Sequence, residues 1–337
     1  MNNIILIVGG MYNNIGLSIL KQYKFEFHTV KDTSKLDRIC NSRVIALIVR
    51  YPIKLDESFI KSFPNLLLIC SSGRGTDNIN TLAATHESVL VMNNPKVSAV
   101  LVAEHTFALI LGLAKNLLTN HSHVKNDNYA IRNSINTIYI SEKTLEIVGL
   151  GSIGSRVSSM CSLAFSMKVL AYNPYVSSQK ASNYGAEKVS LDKLLKVSDF
   201  VSLHCTLNEE TNHLIDYNQI LKMKRTSFLI NTARGPVVST EALSIALKNQ
   251  MIKAAALDVY EIEPPTSYIL SSLNYESILL SPHNAGVSFE CSMKLSNSSA
   301  QNIVDAMFLS NYSNCVNYSN ELIVKFKEKK SRIFSLD

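Results

Sequence analysis

Short apolar runs rich in β-branched residues alternate with longer segments of helical periodicity through the first hundred residues. Runs of this length are typical of strands that are buried on both faces, and helices between them allow neighbouring strands to run parallel. The predicted strands cover residues 4–8, 44–49, 66–70 and 89–92. The pattern therefore predicts a parallel α/β sheet in this part of the chain.

The stretch 99–118 keeps a helical spacing of apolar residues over its whole length and has few polar positions. A helix that is apolar on nearly every face must be covered by other parts of the protein. We therefore expect one long buried helix here, and a second copy of the chain would cover it well. This expectation makes a homodimer the predicted assembly.

A second series of strands and helices follows a polar stretch at 120–136. Its predicted strands cover residues 145–148, 169–172, 200–204, 227–231, 254–258 and 278–281. Six strands in this order make a complete dinucleotide-binding sheet. The fold class expected is α/β, with two Rossmann- or flavodoxin-like parallel-sheet domains and a cleft between them.

The chain of 337 residues is long enough for two domains of common size. The last long helix is predicted at 288–307, and the first domain is the simplest place for it to pack. We assign residues 1–98 and 287–318 to a discontinuous substrate domain and residues 99–286 to a cofactor domain. Residues 319–337 are left as a C-terminal tail, expected to be a solvated helix or a frayed terminus, with a basic arm for a polyanion as the alternative.

Composition and charge exclude several classes of protein. Hydrophobic residues make up 46% of the chain and charged residues 18%, which excludes a disordered protein. The formal net charge of +6 is spread along the chain, which disfavours nucleic acid as a partner and suits a small anionic substrate. We find no secretory leader and no membrane span, and we expect a cytoplasmic protein.

The cysteines are widely spaced, and no two of them form a Cys-x-x-Cys pair. This spacing fits neither a disulfide framework nor a zinc site. We therefore expect reduced, mostly buried thiols and no metal. The six cysteines are Cys40, Cys70, Cys161, Cys205, Cys291 and Cys315.

A glycine-rich loop, Gly149-Leu150-Gly151-Ser152-Ile153-Gly154, follows an apolar strand and begins a helix. In this context the first glycine permits a tight turn, the second lets the backbone approach a pyrophosphate, and the third lets the helix pack on the strand. The N-terminus of the helix adds N–H donors and a positive dipole. The loop therefore predicts dinucleotide binding.

The next strand of this domain ends at Asn173, where dinucleotide-binding domains have an acidic residue that bonds the ribose diol. An amide can bond a 2′-hydroxyl but does not repel a 2′-phosphate. No arginine follows within residues 174–180 to hold a phosphate. We expect NAD as the favoured cofactor, with NADP as the alternative.

A second glycine pair, Gly9-Gly10, follows the first strand of the chain. Its spacing to Gly16 does not match the dinucleotide pattern. We interpret it as a plain strand-to-helix turn.

Three residues at the ends of successive strands suit the reduction of a 2-oxo acid. Such a reaction needs a cation to hold the carboxylate and polarise the carbonyl, and an acid to protonate its oxygen. A carboxylate beside a histidine keeps the ring oriented and protonated near neutral pH. Arg234, Glu263 and His283 follow strands at the edge where open α/β sheets bind ligands. These three are the candidate catalytic residues.

The order and spacing of several segments resemble the D-isomer-specific 2-hydroxyacid dehydrogenase family, which includes 3-phosphoglycerate dehydrogenases. The resemblance extends from about residue 50 to residue 317. The segments that carry it are GRGTDNI (73–79), VAEHT (102–106), the glycine loop, LHC (203–205), NTARG (231–235), DVYEIEP (258–264) and SPHNAG (281–286).

The resemblance implies roles for individual residues. His283 would be the general acid/base, Glu263 its partner, and Arg234 the contact to the substrate carboxylate and carbonyl. The remaining implied substrate contacts are Arg50, Ser72, Gly73, Arg74 and Gly75. The implied cofactor contacts are the glycine loop, Asn173, Thr206, Thr232, Ala233, Asp258, His283, Ala285 and Gly286.

Some residues depart from the family pattern. The family commonly has asparagine at the position of Ser98, proline at Thr206, a basic residue at Ser152 and glycine at Glu146. None of these departures removes the catalytic trio. They lead us to expect a modest affinity for the cofactor or an unusual selectivity.

Arg74 lies in the loop that the family uses to hold the substrate carboxylate. A second cation there would favour 3-phosphoglycerate and 3-phosphohydroxypyruvate, although hydroxypyruvate and glyoxylate also fit if the side chain points to solvent. The sequence continues for about twenty residues beyond residue 317, so we expect no regulatory domain of the kind found in longer phosphoglycerate dehydrogenases.

Two other functions remain open at this point. A lysine at the matching place in phosphite dehydrogenases makes an inorganic or phosphonate oxyanion an alternative substrate. The family also includes corepressors, which makes a non-catalytic NAD(H)-sensing scaffold the alternative from another class. A metabolic NAD-dependent dehydrogenase is the expected function.

Overall fold

The computed structural model describes residues 3–34, 41–134, 137–273 and 276–335. The chain divides into two compact units, one made of Met1–Ser98 with Val287–Asp337 and the other of Ala99–Gly286. Cys40 lies outside the described residues, and the expectation of a reduced thiol there stays a prediction.

Each unit is built on a fully parallel sheet, which confirms the predicted α/β class. The first sheet has the order β2-β1-β3-β4-β5 and the second the order β12-β11-β10-β9-β6-β7-β8. The strands are β1 Ile4–Val8, β2 Glu26–Val30, β3 Val44–Val49, β4 Leu68–Ser71, β5 Leu90–Met92, β6 Thr144–Val148, β7 Lys168–Tyr172, β8 Ala186–Lys188, β9 Phe200–Leu203, β10 Phe228–Asn231, β11 Ala254–Leu257 and β12 Ile278–Leu280.

Helices pack on both faces of each sheet. Several follow a serine, threonine, aspartate or asparagine whose side chain caps the first turn. The helices are α1 Ile15–Gln22, α2 Glu57–Lys61, α3 Thr81–His86, α4 Ala99–Ala114, α5 Leu117–Lys125, α6 Gly154–Phe165, α7 Ser178–Ser182, α8 Leu191–Val197, α9 Tyr217–Ile220, α10 Thr240–Lys248, α11 Ser267–Ser272, α12 Phe289–Val304 and α13 Asn320–Phe334.

Two strands were not predicted, β2 and β8, and both lie at the edge of their sheets. Strand β2 has the sequence EFHTV and keeps only Val30 buried, and β8 has three residues, of which only Ala186 is buried. Edge strands carry polar side chains and therefore lack the continuous apolar signal of central strands.

The segment 99–118 is not one long helix, contrary to the prediction. Helix α4 ends at Ala114, Asn116 takes a left-handed backbone conformation with φ of 49°, and α5 begins at Leu117. Asparagine adopts this conformation more easily than other residues with a Cβ atom, which explains the break. Most of α4 is buried, whereas α5 has no buried residue.

Within the described parts of the chain, no single helix is long and apolar enough to cross a membrane. Helices α4 and α5 meet that requirement only when they are taken together, and they are bent by 59° at their junction.

The C-terminal segment 319–337 belongs to the first unit, contrary to its assignment as a separate tail. Helix α13 buries Leu322, Ile323 and Phe326 in the core that also contains β1 and β3 residues. The ammonium of Lys329 donates a hydrogen bond to the carbonyl of Glu87. The frequent lysines of this helix lie around a short apolar stripe, so the stripe was easily missed in the sequence.

Candidate active site

Most of the predicted cofactor and catalytic residues follow strands of the seven-stranded sheet at one edge. Strands β6, β7, β9, β10, β11 and β12 are all parallel, so their carboxyl ends meet at the same edge. Arg234 follows β10, Glu263 follows β11 and His283 follows β12. Ligands of open α/β sheets bind at this edge.

The side chains of Glu263 and His283 are in close hydrogen-bonding contact. Glu263 Oε2 lies 2.5 Å from His283 Nδ1, and the glutamate side chain is 8% exposed whereas that of His283 is 30% exposed. The other oxygen, Glu263 Oε1, accepts a hydrogen bond of 3.0 Å from the backbone N–H of Tyr260. The carboxylate therefore holds Nδ1 of the ring, and the pair combines a buried anchor with a histidine that solvent can reach.

His283 has a φ of 52°, in the left-handed region that a residue with a side chain rarely adopts. Backbone strain of this kind costs about 1–3 kcal/mol and persists only where the surroundings enforce it. Asp258 holds the conformation of the loop 281–286. It accepts hydrogen bonds from Ser281 Oγ at 2.6 Å and from the backbone N–H groups of Asn284 and Ala285 at 3.0 Å.

Asp258 is expected from the family resemblance to contact the nicotinamide amide. Its carboxylate is buried and serves the loop of His283 with both oxygens. His105 of α4 joins this group, since its Nε2 lies 3.1 Å from Ser281 Oγ and 3.7 Å from Asp258 Oδ1. Asp258 therefore positions the loop 281–286, which carries His283.

Tyr260 links the loop that carries Glu263 to the loop that carries His283. Its hydroxyl donates a 2.9 Å hydrogen bond to the carbonyl of Ser281, while its backbone N–H holds Glu263. Burial, with the nearby carboxylates of Asp258 and Glu263, raises the pKa of Tyr260 to about 12. The hydroxyl stays protonated and can act as a donor throughout the physiological range.

Arg234 is held by its own turn. The carbonyl of Arg234 accepts a 2.9 Å hydrogen bond from Asn231 Nδ2, and a guanidinium nitrogen donates a 2.7 Å bond to the carbonyl of Ala233. A Cβ atom added to Gly235 would lie 1.9 Å from the carbonyl carbon of Tyr260. Only glycine allows this approach, which places Arg234 beside the loop that carries Glu263.

The loop 149–154 fits a dinucleotide. Gly149 has a φ of 95°, and an added Cβ would lie 2.6 Å from the backbone nitrogen of Cys205, so the turn needs glycine. Gly154 packs against the carbonyl of Gly149, Gly151 is exposed, and Ser152 and Ile153 are partly exposed at the start of α6. The exposed turn at the N-terminus of α6 therefore has the shape of a pyrophosphate-binding loop.

Asn173 lies directly after β7, and its Oδ1 accepts a 2.9 Å hydrogen bond from the backbone N–H of Tyr175. This bond fixes the orientation of the amide and leaves its N–H₂ group to face a ligand. A donor can bond either a ribose hydroxyl or a phosphate. The geometry therefore fits both NAD and NADP.

The other residues expected to contact the cofactor differ in burial. Thr232 is buried, with its hydroxyl 2.9 Å from that of Thr106. Ala233 and Ala285 are buried, Gly286 is partly exposed, and Thr206 is exposed, its carbonyl accepting a bond from Thr211 Oγ1. Thr232 and Ala233 are packed against other protein atoms. Their part in cofactor binding stays a proposal.

Two ionisable groups near this edge are buried without full hydrogen bonding. Both carboxylate oxygens of Glu146 in β6 lack a partner among the described residues, and burial raises its pKa well above the ordinary value. Burial lowers the pKa of His204 to about 3, and its Nδ1 also lacks a described partner while Nε2 contacts Ser202 Oγ at 2.9 Å. His204 is therefore neutral near pH 7, and burial favours the protonated, neutral form of Glu146.

The expected substrate residues of the five-stranded unit follow β3 and β4. Arg50 follows β3, and the loop 72–75 follows β4. Backbone groups fix this loop, because Ser71 Oγ donates to the carbonyl of Gly75 at 2.7 Å and the carbonyl of Gly73 accepts from the N–H of Asn94 at 2.9 Å. Ser72 is buried and Arg74 is exposed.

Several residues of the site have no sequence signal of their own. Ser281, Tyr260, Asn231 and His105 lie inside the quoted family segments, yet the spacing gives no reason to assign them a role. Their function depends on hydrogen bonds between loops that are distant along the chain, and such contacts appear only in the fold.

Residues 107–285 match the family described as "D-isomer specific 2-hydroxyacid dehydrogenase, NAD binding domain". The chain is 32% identical over 303 residues to a D-3-phosphoglycerate dehydrogenase from Synechocystis, with 90% of this chain covered, but it spans only 54% of that protein's length. A putative 2-hydroxyacid dehydrogenase from Staphylococcus haemolyticus is 32% identical to this chain. The match covers 84% of this chain and 90% of that protein.

Among solved structures, D-lactate dehydrogenase from Aquifex aeolicus, complexed with NAD and lactic acid, superposes with a TM-score of 0.85 at 30% identity. The superposition covers 94% of this chain and all of that one. Sequence, fold and the glycine loop agree. The chain therefore belongs to the D-isomer specific 2-hydroxyacid dehydrogenase family and is an oxidoreductase that uses NAD(P).

Proposed function

We propose that this protein reduces a small 2-oxo acid to the 2-hydroxy acid, or catalyses the reverse reaction, with His283 as the general acid/base. The observation that carries the proposal is the pair of Glu263 and His283, 2.5 Å apart, on a loop whose strained backbone is fixed by Asp258. A histidine held at one ring nitrogen by a carboxylate presents the other nitrogen for proton transfer.

In the proposed reaction His283 Nε2 gives a proton to the carbonyl oxygen, while Glu263 keeps the ring oriented through Nδ1. Arg234 binds the carboxylate and polarises the carbonyl, since a guanidinium can donate two parallel hydrogen bonds to a carboxylate. Arg50 and the loop 72–75 are the remaining proposed substrate contacts. The nicotinamide dinucleotide, when bound, supplies or accepts the hydride.

The proposed substrates are 3-phosphoglycerate with 3-phosphohydroxypyruvate, or hydroxypyruvate and glyoxylate. The relationship to a D-3-phosphoglycerate dehydrogenase and the exposed Arg74 support the first pair. We propose NAD as the favoured cofactor, with NADP accepted through Asn173. We also propose a cytosolic homodimer; the five described cysteines form no disulfide, as expected in a reducing compartment.

The first test is the oxidation of NADH and NADPH with a panel of these 2-oxo acids and pyruvate. Turnover by the wild type should fall roughly 10²–10⁴-fold in His283→Ala, because the general acid is lost. His213→Ala is the matched control, because His213 also lies 2.5 Å from a glutamate, Glu261, and is more exposed. The control should keep activity close to that of the wild type.

Turnover that survives in His283→Ala, or that falls equally in His213→Ala, would exclude the proposed acid/base role. A wild-type protein that binds NADH but reduces no acid in the panel would favour the NAD(H)-sensing scaffold or an inorganic oxyanion substrate. Phosphite-dependent reduction of NAD⁺, followed in a separate assay that supplies NAD⁺, separates these two.

A further inference from the structure

The two residues that follow strand β5 hold the loop 72–75. The backbone N–H of Asn94 donates a 2.9 Å hydrogen bond to the carbonyl of Gly73. Nδ2 of Asn93 donates a 2.7 Å bond to the next carbonyl, that of Arg74. Two successive carbonyl groups of the loop are therefore turned toward the same pair of asparagines.

These bonds also set the direction of two N–H groups of the loop. In a planar trans peptide, the N–H of one residue points opposite to the carbonyl of the residue before it. The N–H groups of Arg74 and Gly75 therefore point away from Asn93 and Asn94. Successive N–H groups of a turn that point to one side form a concave site that suits an oxyanion.

The side chain of Asn94 is fixed as well. Asn94 is 0% exposed, and its Nδ2 donates to the carbonyl of Ser71 at 3.2 Å and to Ser299 Oγ at 2.9 Å. Its Oδ1 accepts a 3.2 Å bond from Asn302 Nδ2. A rotation of this amide would leave buried polar atoms without partners, which is costly, so the side chain is held in one orientation.

Asn302 connects this arrangement to helix α12. Its Nδ2 also donates a 3.0 Å bond to the carbonyl of Asn93, and its Oδ1 accepts a 2.9 Å bond from Asn314 Nδ2. Asn302 and Ser299 are 2% and 1% exposed, and both lie in the second segment of this unit. Asn94 and Ser299 are 205 positions apart in the sequence, so their contact has no local sequence signal.

The loop also contains a polar group that the described chain does not satisfy. Ser72 is 3% exposed, and its hydroxyl has no hydrogen-bond partner among the described residues. A buried hydroxyl of this kind is unfavourable unless a ligand or water satisfies it. The loop is therefore anchored through its carbonyl groups and keeps a donor for a ligand.

We propose that Asn94 is a positioning residue for substrate binding, which acts by holding the loop 72–75 in one conformation. Asn93, Ser299 and Asn302 complete what we call the asparagine anchor, and all four residues belong to the same compact unit. This inference rests on the proposed dehydrogenase function, in which the loop contacts the substrate. It adds residues that act on the substrate through the loop.

The kinetic test uses Asn94→Ala with the 2-oxo acid that the wild type reduces best. The value of KM should rise roughly threefold to thirtyfold, because the loop loses hydrogen bonds that fix it and binds the acid less well. The value of kcat should change less than about threefold, since the groups that transfer the proton are untouched. The Kd for NADH, measured by its fluorescence, should stay within about twofold of the wild type.

Asn93→Ala tests the anchor without disturbing the core. Asn93 is partly exposed, and the substitution removes the bond to the carbonyl of Arg74 but leaves the buried amide of Asn94 in place. The value of KM should rise about twofold to tenfold. An unchanged KM in this variant would overturn the inference, even if Asn94→Ala folds poorly.

Asn317→Ala is the matched control. Asn317 is partly buried and bonds strand β5 and the residue before it, since its Oδ1 accepts a 2.8 Å bond from the N–H of Val91 and its Nδ2 donates a 3.0 Å bond to the carbonyl of Val89. The control should keep KM within about twofold of the wild type. An equal rise in the control would show that KM follows general stability and would contradict the role of Asn94.

Hydrogen exchange of the intact protein follows the loop without any turnover. The backbone N–H groups of residues 72–78 should exchange roughly tenfold faster in Asn94→Ala than in the wild type, since local opening becomes easier. Asn317→Ala should leave their exchange unchanged. Unchanged exchange in Asn94→Ala would overturn the inference. Faster exchange in a protein that reduces no 2-oxo acid would keep the anchor and reject the dehydrogenase function.

Discussion

Glu146 is a buried carboxyl group in the middle of β6, and neither of its oxygens has a hydrogen-bond donor among the described residues. Because burial raises its pKa, the folded protein keeps the proton at pH values where the unfolded chain has lost it. The folded state then binds more protons than the unfolded state, and the free energy of unfolding falls as pH rises from about the ordinary value of 4.5 toward the folded pKa. Glu146 therefore destabilises this unit most at neutral and alkaline pH.

Glu146→Leu should stabilise the protein, by about 1–3 kcal/mol at neutral pH, because it removes a buried polar group that has no hydrogen-bond partner in the described part of the chain. The gain should be larger at about pH 8 than at about pH 5, since the penalty grows with pH over this range. Thermal unfolding of both proteins at the two pH values measures the difference. Glu187→Leu, at an exposed glutamate of β8, is the control and should show no such pH dependence. A gain that does not change with pH would contradict the assignment.

Asn173 is the residue that we expect to set the choice of cofactor. Its Oδ1 is used by the N–H of Tyr175, so a donor faces the ligand. In Asn173→Asp one oxygen can keep that bond while the other accepts from the ribose hydroxyls and repels a 2′-phosphate. The ratio of kcat/KM for NADH to that for NADPH should rise about tenfold or more, equivalent to about 1.4 kcal/mol. An unchanged ratio would mean that Asn173 does not contact this part of the cofactor.

At the scale of single elements, the buried strands and the glycine loop are predictable because their apolar runs and their spacing are local signals. The pair of Glu263 and His283 is predictable as well, because each residue follows a strand of one parallel sheet. The hydrogen bonds that hold the loop 281–286 are not predictable, since Asp258, Tyr260 and His105 belong to other elements. The break at Asn116 was missed because apolar residues continue on both sides of it.

The hydrogen bonds that Asp258, Ser281 and His105 form around the loop after β12, which we call the clamp, give a prediction at this scale. Ser281→Ala removes the 2.6 Å hydrogen bond to Asp258 and the contact to His105. A hydrogen bond to a charged group contributes about 1.5–3 kcal/mol, and its loss should loosen the strained backbone of His283. We expect kcat to fall about tenfold with a smaller change in KM, because proton transfer depends on the position of the ring.

Ser277→Ala, at the amino end of the same strand, is the matched control. It makes the same substitution away from the loop 281–286 and should leave kcat within about twofold of the wild type. Steady-state kinetics and a melting curve should be recorded for both variants. A loss of kcat that is matched by the control, or that follows a general loss of folded protein, would show that the clamp has no specific role in catalysis.

At the scale of the whole molecule, the chain leaves the five-stranded unit at residue 98 and returns to it at residue 287. Helices α12 and α13 then complete its core, with Ala300, Ile303 and Phe326 packed on the same cluster as Ile5 and Ile7. The sequence could suggest the return of α12, because no further strand follows it. It could not suggest the packing of α13, whose apolar stripe is three residues wide among many lysines.

The break between α4 and α5 changes where a second copy of the chain is expected to bind. Leu117, Leu118 and Val124 of α5 are 54%, 58% and 53% exposed, and an apolar group of this kind on one helix is typical of an association surface. We predict a homodimer in sedimentation or light-scattering measurements, and a monomer for the double variant Leu117→Asp with Leu118→Asp. Leu163→Asp, at a leucine of α6 that is 86% exposed, is the control and should remain dimeric. A wild-type monomer, or a double variant that still dimerises, would rule out this surface as the dimer contact.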